Sequence, residues 1–264
     1  MTIYFLGGGN MASAIIAGLY RSNRQGLVHV VNRGADKREK LTKAYGVRTS
    51  AALPELTAED VLVLAVKPQD MQNACAGVET HGALVLSVAA GLSVDTLSRY
   101  LGGIRRIIRI MPNTPAQIGM GMSGLYAAEG VNEADKALAQ SMMQPSGQTV
   151  WLEKEAQIHA ITGISGSGPA YVFFLMDALQ KAAAKQGFDT AQARELVLAT
   201  FKGAVALAEQ TGEPFEVLQQ NVTSKGGTTY AALETFRQRE VAEVIGAGVE
   251  ACVLRSQEIA EQFR

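Results

Sequence analysis

Apolar residues follow two different rhythms along the chain. Up to about Val150 they come in short, nearly unbroken β-rich runs at 2–6 (TIYFL), 27–31 (LVHVV), 61–66 (VLVLAV), 83–88 (ALVLSV) and 106–110 (RIIRI). Runs that do not alternate with polar residues suit strands covered on both faces, and helical stretches between them supply the covers. Strand and helix at this spacing predict a doubly wound, parallel α/β sheet. After Trp151 the runs stop. Glycine and proline then punctuate long segments rich in Ala, Leu, Glu and Gln at 154–164, 169–186, 190–210, 214–220 and 228–262, which read as helices. On 190–210, Leu196, Ala199, Gly203, Val205, Ala206 and Leu207 form a broad apolar face, while Arg194, Glu195, Lys202 and Glu209 are left to water. The expected division is an α/β domain over 1–152 and an all-helical domain over 153–264.

Composition narrows the partners. The 264 residues are 47% hydrophobic and 19% charged, with 24 basic against 25 acidic side chains. A net charge of −1 supplies no field to hold nucleic acid or an anionic membrane, so neither is expected. The first 150 residues carry 14 basic and 11 acidic groups, a surplus of +3, against −4 beyond, which makes the first part the better host for a phosphate-bearing ligand. Cys75 and Cys252 stand far apart and only three histidines occur, so no disulfide framework, metal site or Ser-His-Asp arrangement is expected. No run approaches the roughly 18 apolar residues of a membrane span. The opening MTIYFLGGGN lacks the basic and cleavage regions of a leader, so a cytoplasmic protein is expected.

The chemistry starts at the end of the first run. Gly7-Gly8-Gly9-Asn10-Met11-Ala12 is a G-x-G-x-x-A turn opening a helix over 10–20, in the strand–turn–helix context that makes this motif a dinucleotide fingerprint. Gly7 permits the turn, Gly9 lets backbone approach a pyrophosphate, and Ala12 lets the helix sit close to the sheet. The helix N-terminus offers free amides to the phosphates. This identifies the α/β domain as Rossmann-type. Where an NAD site carries an acid after the second strand, this chain reads Val31-Asn32-Arg33-Gly34, with Lys37 and Arg38 beyond. Asn32 can hydrogen-bond a 2′-phosphate and Arg33 can neutralise it, which favours NADPH over NADH. The alternative is a solvated helix start with Asp36 as N-cap. Ala65-Val66-Lys67-Pro68 ends another strand at the ligand-binding edge, as cofactor contacts or as a plain strand-ending turn. In Met111-Pro112-Asn113-Thr114-Pro115, Asn113 offers an amide for the nicotinamide carboxamide or a small substrate. Arg105, Arg106 and Arg109 read as solvated or ion-paired.

Two glycine-rich stretches interrupt the helical part, 163–171 (GISGSGPAY) and 222–230 (VTSKGGTTY). The first reads as a capped helix joint with Pro169 at a helix start. The second places consecutive amides of Gly226, Gly227, Thr228 and Thr229 at the start of a helix over 228–237. That arrangement suits a carboxylate, with a simple capped turn as the alternative.

FLGGGNMASAI, LAVKPQ, RIMPNTPA, GISGSGPAYVF and NVTSKGGTTYAAL together resemble, in order and spacing, the pyrroline-5-carboxylate reductases, which complete proline biosynthesis. The likeness runs from residue 2 to about 260. It departs at Lys225, where the family commonly has proline. The resemblance implies an NAD(P)-binding domain followed by a helical domain that intertwines with a second copy, and it extends to decamers of five dimers known in the family. It also implies that Ser224 and the amides around Gly227–Thr229 hold the substrate carboxylate and that the Thr229 hydroxyl meets the ring nitrogen, making Thr229 the candidate catalytic residue. Hydride would pass from NADPH to the C=N carbon of L-1-pyrroline-5-carboxylate. A 3-hydroxyacid dehydrogenase shares the two-domain plan but places a lysine on the first long helix after a glycine turn. Here that helix reads Pro169-Ala170-Tyr171-Val172-Phe173, with no lysine before Lys181. A non-catalytic NADP-binding sensor is the alternative from another class.

Overall fold

The computed structural model describes residues 1–263. The α/β region alternates β1 (Ile3–Leu6), α1 (Asn10–Arg21), β2 (Val28–Val31), α2 (Ala35–Tyr45), β3 (Arg48–Ser50), β4 (Val61–Leu64), α3 (Pro68–Cys75), β5 (Leu84–Ser87), α4 (Val94–Tyr100) and β6 (Ile107–Met111). It continues through β7 (Gly121–Ala127), α5 (Glu133–Met143) and β8 (Gly147–Trp151). The strands form one sheet in the order β3-β2-β1-β4-β5-β6-β7-β8. Ile3 lies opposite both Val28 and Val61, so β1 is flanked by β2 and β4, and the strand order reverses there. In open α/β sheets such a reversal opens a crevice at the carboxyl ends of the strands.

Both faces are covered, as the unbroken apolar runs required. Ile3, Phe5, Leu84 and Leu86 pack with Ile15, Ile16 and Leu19 of α1 and with Met142 and Met143 of α5. Tyr4, Leu62, Leu64 and Val85 face the other way, toward Met71 of α3 and Leu97 of α4. All five strand-like runs of the sequence become strands. The sheet is larger and less uniform than expected, because β3, β7 and β8 carry no strong apolar run and β7 pairs antiparallel with β6.

Beyond β8 come α6 (Gln157–Ile161), a π-helical turn at Thr162–Gly166, α7 (Gly168–Lys185), α8 (Thr190–Thr211), α9 (Phe215–Asn221), α10 (Thr228–Gln238) and α11 (Val241–Glu261). Two helices expected from the sequence need correction. The helix over 154–164 is the short α6 followed by the π turn. The segment 228–262 is broken at Glu240, whose φ of 52° is incompatible with a continuing helix.

By compactness the chain forms two units, Met1–Pro169 with the chain from Ala251 onward, and Ala170–Glu250. The sheet ends at Trp151, but the first unit extends past it. Ile158 is buried at 3% exposure, and Ile161 packs against Gly124 of β7. In the second unit, among the described residues, only Ala193 and Val197 are buried. No described helix is long and apolar enough to cross a membrane.

Candidate functional site

β1 delivers the chain into the crevice at Gly7. Its φ is +105°, and a Cβ there would lie 2.8 Å from the Ala65 carbonyl oxygen, so no larger residue fits without displacing the strand beside it. The Gly7 N–H donates to the Val31 carbonyl (2.9 Å), fixing the turn between β2 and β4. Gly9 is extended and begins α1 as its N-cap, with no acid in the first turn. Its Cβ position is open, with Ala65 O the nearest atom at 3.8 Å. A helix start with free first-turn amides beside an open, side-chain-free cradle fits a pyrophosphate.

The cleft here has a volume of about 1120 Å³ and brings together most of the expected cofactor residues: Gly7, Gly8, Gly9, Asn32, Arg33, Ala65, Val66 and Lys67. Asn10, Met11 and Pro68 fall outside its lining, because the first two start α1 and Pro68 is the first residue of α3. The wall is completed by residues that the sequence did not single out, including Leu53, Pro54, Asn73, Ala74 and Val78. Arg33, Lys37 and Lys67 share the lining with Asp36, Glu55, Asp70 and Glu79, so cation is not in general excess. The positive groups nearest in sequence to β2 are Arg33 and Lys37.

Asn32 has a more definite task than the sequence showed. Its Oδ1 accepts the Gly8 N–H at 3.3 Å and its Nδ2 donates to the Gly34 carbonyl at 3.1 Å, which ties the glycine turn to the end of β2. Gly34, not Asp36, is the N-cap of α2. Arg38, which the sequence grouped with the phosphate-facing cations, turns back instead. Its Nη1 donates to the carbonyls of Asn32 (2.7 Å) and Arg33 (2.8 Å).

Asn113 lies outside this cleft and is 9% exposed. Its Oδ1 accepts the Met122 N–H (2.9 Å) and its Nδ2 donates to Ser165 O (3.1 Å) and Oγ (3.3 Å). The amide thus joins the 111–115 loop to the π-helical turn, a feature that recurs near functional sites. The arginines are ion-paired as expected, Arg105 with Asp95, Arg106 with Asp135 and Arg109 with Glu155, at 2.6, 2.6 and 2.7 Å. Arg109 is buried, and desolvation pushes its guanidinium below its ordinary value despite Glu155.

The second unit carries the other predicted loop. Gly226 is left-handed (φ 71°), and Gly227 is the extended N-cap of α10, its N–H donating to the Ser224 carbonyl at 3.0 Å. A Cβ on Gly227 would overlap the Ser224 hydroxyl, so glycine is required for that hydroxyl to sit under the turn. Among the described residues no side chain caps α10, and its first turn holds no acid. Thr228 and Thr229 open the helix, Thr229 half-buried and Ser224, Lys225 and Thr228 exposed. Free amides, a hydroxyl and the positive end of a helix are the donor set a carboxylate needs.

A parallel sheet with a glycine turn at its strand-order reversal, followed by helices that carry a carboxylate-type loop, defines a dinucleotide-binding oxidoreductase. Residues 2–91 match a model described as NADP oxidoreductase coenzyme F420-dependent, and residues 155–259 match one for pyrroline-5-carboxylate reductase dimerisation. The chain is 39% identical to a pyrroline-5-carboxylate reductase of Haemophilus influenzae over 99% of its length and 98% of that protein. Against the Escherichia coli enzyme it is 32% identical over 98% of each chain. The solved structure of the Coxiella burnetii reductase superposes with a TM-score of 0.88 at 36% identity, covering 98% of both chains. That of the Plasmodium falciparum reductase, with NADP bound, gives 0.86 at 26% identity over the same coverage. The chain belongs to the pyrroline-5-carboxylate reductase family.

Proposed function

We propose that the protein reduces L-1-pyrroline-5-carboxylate to L-proline at the expense of NADPH. The observation that carries this reading is the 224–229 loop, where unpaired amides at a helix start stand beside the Ser224 and Thr229 hydroxyls. Identities of 32–40% over nearly the whole chain support it over a hydroxyacid dehydrogenase or a sensor. Bound NADPH would supply the hydride to the C=N carbon. The chain's own work is orientation. Gly7–Gly9 and the first turn of α1 would hold the pyrophosphate, and Asn32, Arg33 and Lys37 form the end suited to a 2′-phosphate. Ala65, Val66 and Lys67 would line the ribose path. Ser224 and the amides of Gly226, Thr228 and Thr229 would hold the carboxylate, with the Thr229 hydroxyl at the ring nitrogen, while the Gly227 N–H closes the turn on the Ser224 carbonyl. A cyclic imine is partly protonated near neutral pH, and a protonated imine already accepts hydride well, so no strong acid is required.

The acting unit we propose is a homodimer made through the helical part, residues 153–264. Support comes from the dimerisation match and from Phe173, Phe174, Val205, Val244 and Leu254, all more than half exposed in the single chain. A decamer of five dimers and a cytoplasmic location rest on the family resemblance and the sequence pattern alone. Steady oxidation of NADPH with the cyclic imine, but not with an open-chain hydroxyacid, tests the activity. Ser224→Ala is expected to raise KM, because its contact is equal in ground and transition states. Thr229→Val is expected to lower kcat by at most ~10²- to 10⁴-fold, and Thr229→Ser to keep most activity. Unchanged kinetics in Thr229→Val would move the chemistry off this loop.

A further inference from the structure

We infer that Arg38 is a positioning residue that sets the choice between NADPH and NADH, an inference that rests on the NADP reading above. Arg38 stands on the second turn of α2, and a long helical side chain points back toward the helix start. Here that direction carries it to the end of β2, where one guanidinium nitrogen spans two successive carbonyls, Asn32 O at 2.7 Å and Arg33 O at 2.8 Å. It lies outside the cleft lining, whereas Asn32, Arg33, Gly34 and Lys37 lie within it. Arg38 therefore acts on the cofactor end of the cleft through the backbone it holds.

The chemistry at stake is the sign of the dipoles around a 2′ substituent. A backbone carbonyl with no donor presents negative charge, which repels a phosphate dianion but accepts a hydrogen bond from a ribose hydroxyl. With Arg38 in place, both carbonyls are occupied by a permanent cation, so these two oxygens do not oppose a phosphate beside the Arg33 and Lys37 side chains. The same grip holds the backbone of Asn32, whose side chain in turn accepts the Gly8 N–H and donates to Gly34. Asp36, in the first turn of α2, is the nearest carboxylate in sequence and offsets part of the positive helix end, which makes control of the two carbonyls matter more.

The test is direct binding of NADPH and of NADH to the intact protein, followed by cofactor fluorescence, for wild type, Arg38→Met and Arg38→Lys, with thermal melting measured alongside. Met keeps the stem and removes the donors. Arg38→Met is expected to raise the Kd for NADPH about tenfold, the scale of one charge-assisted hydrogen bond, and to leave the Kd for NADH unchanged or lowered. Arg38→Lys, which can still bridge two carbonyls from one ammonium, is expected to recover most of the loss. Equal weakening of both cofactors, with or without a fall in melting temperature, would overturn the inference by making Arg38 a general support of the fold. Unchanged NADPH binding in Arg38→Met would overturn it as well. Wild-type protein that binds both cofactors equally would overturn the NADP reading itself, a result distinguishable from the other two.

Discussion

The first unit satisfies its apolar pattern within one chain, and the second does not. In the sheet, Ile3, Phe5, Leu62, Leu64, Val85, Ile107 and Ile108 are each at or near zero exposure. Among the described residues of the second unit only Ala193 and Val197 are buried, and Phe174 stands 72% exposed. Glycines tell the same story. Cβ atoms on Gly121 and Gly130 would collide with backbone, while Gly203, Gly246 and Gly248 on α8 and α11 face open space. A similar density of apolar residues thus has two outcomes. Strands paired on both sides close their core in cis, and long helices rich in small residues leave a face for a partner.

An aspartate placed in each region should separate these outcomes most sharply. Ile108→Asp puts a carboxylate at 0% exposure between sheet neighbours, and a loss of several kcal/mol, enough to unfold the first unit, is expected in chemical denaturation. Ile245→Asp, at a position 50% exposed, should leave the far-ultraviolet circular dichroism intact while sedimentation shows monomer and activity disappears. A folded, active dimer from Ile245→Asp would break the comparison at its second term.

The next effect lies where the first unit extends past its sheet. Glu155, just before α6, accepts from buried Arg109 and from the Val94 N–H, both at 2.7 Å, so one carboxylate joins β6, the start of α4 and the chain beyond the sheet. Glu155→Ala strands a guanidinium that is 4% exposed, and a loss of about 3 to 5 kcal/mol is expected in urea unfolding. A loss below about 1 kcal/mol would mean that water reaches Arg109 freely.

Gly7 and Gly9 split folding from binding within one loop. Gly7→Ala meets both a φ of +105° and the Ala65 carbonyl, so about 1 to 3 kcal/mol of stability should be lost together with cofactor affinity. Gly9→Ala meets nothing nearer than 3.8 Å, so its melting temperature should hold while affinity for NADPH and NADH falls alike. Retained binding in Gly9→Ala would remove the pyrophosphate from this cradle.

How much of this was legible follows from how local each determinant is. The five apolar runs and the glycine turn were readable because strand, turn and helix are contiguous. β3 was not, since Arg48-Thr49-Ser50 is a polar edge strand, and with it went the Leu53 and Pro54 wall that follows it. β7, GMSGLYA, hides behind its glycines, which are needed where Ala116 and Ile161 press on the strand. The break at Glu240 carries neither glycine nor proline. The bonds of Asn113 to Met122 and Ser165 were not legible, because both partners are distant in sequence. The 224–229 loop was legible through its glycines, and part of the face that the helices expose was visible as the broad apolar stripe on 190–210.

The smallest expected effect is a pH dependence confined to one side of the comparison. All three histidines, His29, His81 and His159, lie in the first unit and none in the second. Burial, and then the positive charge of Arg48 for His29 and of Arg109 for His159, hold both rings below the ordinary histidine value, with Glu155 partly opposing this for His159. A depressed folded value means that the unfolded chain takes up the proton first as pH falls. The stability these neutral rings contribute is therefore complete above about pH 6.5 and declines below it, by at most about 1.4 kcal/mol per pH unit for each proton. Asp60, which accepts from Thr2 and Thr57, and Asp135, paired with Arg106, are held below the usual carboxylate range, so their contribution is lost only as pH drops below about 4. The aspartate loss begins only below about pH 4, so of these four groups only His29 and His159 act between pH 6.5 and 5. His159 Nδ1 bonds Ser256 Oγ at 2.8 Å, and that hydroxyl can donate to or accept from the neutral ring, according to its tautomer, and accept from the protonated one, so protonation is opposed by burial and Arg109 while the hydrogen bond survives. His159→Gln, which keeps a polar partner for Ser256 but cannot titrate, is expected to flatten the fall in urea-unfolding stability between pH 6.5 and 5. Hydrogen exchange should then show the acid-sensitive amides in the sheet unit and acid-insensitive ones in α8 and α10. An identical slope in the variant would transfer the whole effect to His29, and an acid response in α8 would show that the two units do not unfold independently.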